Sequence, residues 1–191
     1  MSQQTMRADA QRNIERVLDA AITCLSRDPG ATMQQIATEA GVGRVTAYAH
    51  FSSRAALVEA ALTRAIERGD EALSQLDLHG DPVAALARLV HASWELSALS
   101  GNMWLAAHEN LTDSQVRVLH DRPAERARSL LLRGQKLGVF RADLPTDWLI
   151  NSLHALMKLA LADVVAGHLP HHVAATYITQ SATAIWLVDN R

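Results

Sequence analysis

A chain of 191 residues with 49% hydrophobic content has enough apolar material for one large or two small domains, which excludes disorder as its main state. Its net charge of −2 excludes a protein that coats nucleic acid through bulk positive charge, and its single cysteine, Cys24, excludes an intrachain disulfide or a Cys-rich zinc site. No apolar stretch is read as reaching the roughly 18 to 20 residues of a bilayer span. The start, MSQQTMRADAQRN, lacks the apolar core of a signal peptide, so a cytoplasmic location without membrane contact is expected.

In chain order, Ile14, Val17, Leu18, Ala21, Ile22 and Leu25 recur at the i, i+3, i+4, i+7 spacing of a helix with one buried face, which also takes in Cys24 as a small buried thiol. Asp28, Pro29 and Gly30 stop it. Thr32 followed by Gln35 reads as a capping box opening a second helix over 32–40, with Ile36, Ala37 and Ala40 inward. Gly41 ends that helix, a short third one runs from about Arg44 to His50, and Ser52 or Ser53 caps a fourth carrying Leu57, Val58, Ala61 and Leu62.

Asp81 and Pro82 open a helix through Ala98, Thr112 and Gln115 open another, and Pro123 marks a helix start or kink. Thr146 caps a long apolar helix to about Ala166; Gly167 and Pro170 break the chain before a last helix ending near Val188. β-branched residues are sparse and no apolar run alternates, so the expected fold class is all-α with about nine helices.

The second and third helices are separated only by Gly41-Val42-Gly43, the spacing of a helix-turn-helix. Ala37 lies where the helices cross, Gly41 suits a turn with positive φ, and Val42 plugs the angle between them. The third helix offers Arg44, Thr46, Tyr48 and His50 as donors for phosphates or base edges in the major groove. Residues 1–60 carry six basic and six acidic side chains, but Ala40–Ser53 contains no acid, and Arg54 follows. The basic footprint is local, and tight nonspecific binding is not expected.

The string QQIATEAGVGRVTAYAHFSSRAALVEAAL, from Gln34 onward, resembles the TetR (tetracycline repressor) family pattern. It carries Ile36, Ala37, Ala40, Gly41 and Val42, then Tyr48, His50 and Phe51, then Ser53, Arg54 and Leu57. The resemblance implies that Thr46, Tyr48 and His50 contact phosphates, that Arg44 reads bases, and that Arg54 holds a phosphate from the fourth helix; Thr32, Gly43 and Val45 complete the expected DNA-binding set. Three positions depart from the pattern. Gly43 stands where Ser or Thr usually caps the recognition helix, Ala47 where a larger aliphatic is common, and Val45 in place of a frequent Gly, where its methyls could meet a thymine methyl.

The resemblance weakens after residue 62, although GQKLGVFRADLPTDWL (134–149) resembles a segment preceding the penultimate helix of such regulators. It implies an N-terminal DNA-binding domain over 1–51, an effector-binding and dimerisation domain over 52–191, and a homodimer made by the last two helices. Leu149, Leu153, Leu156, Ala160 and Val164, then Ile178, Ala182, Ile185 and Trp186, are the apolar faces expected to meet the partner. A small organic effector is expected near Trp94, Met103, Trp104, His108 and His154, where apolar walls carry a few polar groups. His168, His171 and His172 read as a surface turn rather than a metal site. No phosphate loop, HExxH or nucleophile elbow is present, so neither catalysis nor a cofactor is expected. The implied function is a ligand-responsive regulator of transcription, a repressor bound to double-stranded operator DNA; the alternatives are an activator, or a small-molecule binding protein whose helix-turn-helix no longer engages DNA.

Overall fold

A computed structural model describes residues 3–98 and 101–188; the side chains of 3–8, 98, 101, 104, 105, 108, 113, 114 and 116–123 lie outside the description. The described residues form nine helices: α1 (Gln3–Arg27), α2 (Met33–Glu39), α3 (Arg44–His50), α4 (Arg54–Ser74), α5 (Pro82–Ala98), α6 (Gly101–Asn110), α7 (Asp113–Lys136), α8 (Thr146–Val165) and α9 (His171–Trp186). The one β-type contact among them is an isolated antiparallel bridge between Phe140 and Leu187. The expected all-α class holds.

The chain divides into two compact units, Met1–Arg68 with Ser100–Leu119, and Gly69–Leu99 with His120–Arg191. In the first, α1 packs on α2, α3 and α6. Val17, Ala21 and Leu25 of α1 meet Ile36 and Ala37 of α2, Leu57 and Leu62 of α4, and Met103 and Ala107 of α6 in one core. These are the periodic apolar positions of each helix, removed together from water. Cys24 is only partly buried, and its thiol is held above its ordinary pKa, first by desolvation and then by the nearby Glu39 carboxylate.

In the second unit, α9 packs on both α5 and α8. Leu86, Trp94, Leu131, Phe140, Leu149 and Trp186 are its largest fully buried side chains. Trp186 sets its ring edge-on to Phe140, with centroids 5.5 Å apart, and its indole N–H donates to the Leu149 carbonyl at 3.1 Å. A buried indole thus keeps both its apolar contacts and its hydrogen bond. The 134–149 segment follows from this arrangement. A Cβ on Gly134 would lie 2.0 Å from the Phe140 ring, so only glycine admits that ring to the core. The Arg141 N–H then donates to the Trp186 carbonyl at 2.7 Å, tying the segment to the end of α9.

Several expectations are corrected. α7 continues through Pro123, so no helix begins there. Thr146 is the first residue of α8, whose N-cap is Pro145 with no side-chain cap bond, and α9 ends at Trp186. α8 is long and apolar enough to cross a membrane by length and composition, at a mean hydropathy of 1.3, contrary to the reading that no such stretch exists. It nevertheless gives Leu149, Ile150, Leu153 and Ala160 to the core of its unit. The apolar faces assigned to a partner are also revised. Leu149, Leu153, Ala160, Ile178, Ala182 and Trp186 are buried within the second unit, while Trp148, Leu159 and Val165 of α8 and Tyr177 of α9 face solvent. α8 is apolar on more than one side, and periodicity alone does not say which side packs internally.

Candidate nucleic-acid interface

The capping box at the start of α2 is formed on both sides. The Gln35 amide donates to Thr32 Oγ1 at 3.3 Å, and the Thr32 amide donates to Gln35 Oε1 at 2.7 Å. Two of the orphan donors at this helix start are therefore satisfied by side chains. At the other end the Val42 amide reaches the Ala37 carbonyl at 3.0 Å and the Gly41 amide reaches Thr38 at 3.0 Å, a closure that needs the left-handed φ of 64° at Gly41. A Cβ there would approach Arg16 Nη2 to 2.6 Å, and the same Nη2 donates to the Gly41 carbonyl at 3.3 Å. Arg16, 25 residues upstream, thus braces the turn, and nothing in its local sequence signals that role.

Gly43 is the N-cap of α3 in extended conformation, with no side chain to cap the helix. Ala47 is the only fully buried residue of α3, and its small side chain lets this seven-residue helix lie close to the α1–α2 core. Phe51 closes the end: its amide donates to the Ala47 carbonyl at 2.9 Å, and its ring is buried in the same core. With Ala47 inward, α3 turns Arg44, Val45, Tyr48 and Ala49 to solvent and leaves Thr46 and His50 half-buried at the edges. Val45 is 85% exposed.

The expected DNA-binding residues divide by what already occupies them. Arg44 has no hydrogen-bond or ion-pair partner among the described residues; its guanidinium carbon lies 5.4 Å from the centroid of the Tyr48 ring. Thr32 is engaged in its cap. Arg54 already has partners within the protein: its Nε donates to the Ala31 carbonyl at 3.1 Å and its Nη2 to the Pro29 carbonyl, so the start of α4 is fastened to the α1–α2 loop. Ser53, rather than Ser52, caps α4 by accepting from the Ala56 amide at 3.1 Å. The structure brings Arg44, Val45, Thr46, Tyr48 and His50 together on α3 and gives Thr32 and Arg54 structural bonds beside it.

The effector candidates are not brought together in the same way. Trp94 is buried in the second unit, donating its indole N–H to the His171 carbonyl at 3.2 Å with the two rings 5.4 Å apart. Met103 is buried in the core of the first unit. His154 is half-buried on α8, and the side chains of Trp104 and His108 lie outside the described residues. An open cleft of about 540 Å³ in the second unit is lined by other residues, among them Asp70, Leu76, Leu78, Arg126, Leu130 and Arg133. His168, His171 and His172 are exposed, and no group of three potential metal ligands gathers among the described residues.

Comparison with known proteins agrees with this geometry. Residues 17–61 match the family model described as bacterial regulatory proteins, tetR family, which covers α2, α3 and their packing partners in α1 and α4. The HTH-type transcriptional repressor LfrR of Mycolicibacterium smegmatis is 27% identical over 175 residues, spanning 91% of this chain and 90% of that protein. The crystal structure of the TetR-like regulator LfrR in complex with proflavine is similar at a TM-score of 0.69 and 26% identity, covering 94% of this chain and 98% of that one. A regulator from Saccharomonospora viridis, solved in complex with choline, shares the fold at a TM-score of 0.76 and 23% identity, over 92% of this chain and 98% of that one.

Proposed function

We propose, from the match of residues 17–61 to the tetR family model and the likeness to LfrR along the chain, that this is a TetR-type ligand-responsive repressor acting in the cytoplasm. A homodimer occupies an inverted-repeat operator, blocks transcription, and leaves when a small organic effector binds. Residues 1–51 read DNA and 52–191 serve the dimer and the effector. The family and its relatives are regulators rather than enzymes, and no catalytic role is assigned. The observation that carries the reading is α3, which is fixed by its buried Ala47 and turns unengaged donors outward.

A single helix of this length reads only a few base pairs, so affinity must come from two half-sites about 34 to 36 Å apart, or a multiple of that. The exposed apolar side chains of α8 and α9, Trp148, Leu159, Val165 and Tyr177, support a dimer through these helices. Burial of such a face against its copy is favourable, whereas a monomer leaves it in water. The proflavine complex of LfrR supports an organic effector of modest size. The effector acts only through different affinities for the DNA-competent and DNA-released states.

The second reading, a small-molecule binding protein with an idle helix-turn-helix, is favoured by the missing side-chain cap at Gly43 and by the neutral charge of residues 1–60. A mobility-shift assay on the DNA flanking the chain's own gene separates the two. Salt-sensitive, sequence-specific retardation is expected; no retardation at low salt would favour the second reading.

A further inference from the structure

The arginines around the helix-turn-helix are used in different ways. Arg16 and Arg54 direct guanidinium donors to backbone carbonyls, at Gly41 and at Pro29 and Ala31, and so act as internal braces. Among the described residues Arg44 makes no hydrogen bond or ion pair; its guanidinium carbon lies over the Tyr48 ring, 5.4 Å from the centroid. That distance lies within the roughly 6 Å over which a ring quadrupole attracts a cation. The pair is built in by sequence, since residues 44 and 48 stand one turn apart on the same side of α3.

We propose that Tyr48 is a positioning residue for base recognition, its ring holding the Arg44 guanidinium so that the planar donor fork is presented to the O6 and N7 acceptors of a guanine in each half-site. An unrestrained arginine loses rotamer freedom when it docks on a base, whereas one already resting on a ring loses less. A contact with the ring takes up none of the guanidinium N–H groups in a hydrogen bond, which leaves them for the bidentate pattern that guanine offers in the major groove. The proposal rests on the regulator reading. It gives Tyr48 a role distinct from a phosphate contact, which belongs to its hydroxyl.

The two roles separate chemically. Tyr48→Phe keeps the ring and removes the hydroxyl; Tyr48→Leu removes both, and Tyr48→Gln does so without adding an apolar surface. Full-length wild type and the three variants are titrated against duplexes selected by the wild type and against the same duplexes with each guanine of the half-site replaced in turn. Tyr48→Phe should lower affinity evenly and keep the wild-type preference for guanine. Tyr48→Leu and Tyr48→Gln should reduce that preference by about two- to five-fold at one position, the one that Arg44→Ala also relaxes. A guanine preference unchanged in both truncations would overturn the proposal alone, while a wild type with no base preference would overturn the regulator reading with it. If neither truncation folds by circular dichroism, side-chain NMR of the free wild type and Tyr48→Phe decides: ring-current-shifted Arg44 resonances in both proteins are expected, and unshifted resonances would overturn it.

Discussion

α3 and α8 both expose apolar side chains, but in different surroundings, and the contrast bears on the partner proposed for each. On α3 the exposed Val45 stands alone among Arg44, Tyr48 and half-buried Thr46 and His50, a mixed surface suited to a groove of base edges and phosphates. On α8, Trp148 at 64% exposure, Leu159 at 58% and Val165 at 52% lie along a helix whose other side is already committed to its own core. A surface of donors around one aliphatic has a polar partner to find; a row of large apolar groups is satisfied only by another apolar surface.

The largest expected effect breaks the α8 side of this comparison. Leu159→Asp places a charge on the exposed face, twice in a symmetric dimer, so each copy loses the roughly 1.5 to 3 kcal/mol of a buried leucine. Dimer dissociation should strengthen by about 100-fold or more, and operator affinity should fall with it. Light scattering after size exclusion checks this; a dimer that persists at micromolar concentration would place the interface elsewhere. Arg44→Ala tests the α3 side, weakening specific binding by about 1 to 3 kcal/mol and relaxing preference at one base pair, as read by anisotropy titration.

The smaller effects concern the frame that presents α3. Gly41→Ala forces a Cβ into a left-handed conformation and onto Arg16, and should lower stability by about 1 to 2 kcal/mol in a chemical melt. Gly43→Ser restores the missing cap. Its Cβ meets only Thr46 Oγ1, at 3.8 Å, so stability should rise by a few tenths of a kcal/mol. A gain in stability without a change in base preference would confine Gly43 to holding the helix.

The helix-turn-helix was legible because its signals are local. The Thr32–Gln35 box, the turn at Gly41 and the short reach to Phe51 each lie within a few residues and leave few backbone conformations open. The internal bonds of Arg54 were not legible because its partners, the carbonyls of Pro29 and Ala31, are set by packing between segments more than 20 residues apart. The α8–α9 surface was misread for a different reason. Leu149 and Leu153 keep a helical period, and so do Trp148 and Leu159; only tertiary contact decides which set is inside. Trp94 and Met103 show the same limit, since an apolar side chain expected near an effector is indistinguishable in sequence from one that completes a core.

The central claim is that this chain reads DNA as a dimer through α3. Selection of bound duplexes from a random pool by the full-length protein tests it most directly. The account predicts an inverted repeat whose half-sites are spaced by one helical turn or a multiple of it, with a guanine in each that Arg44→Ala no longer selects. A recovered pool that stays random at low salt, or a single half-site without symmetry, would contradict it.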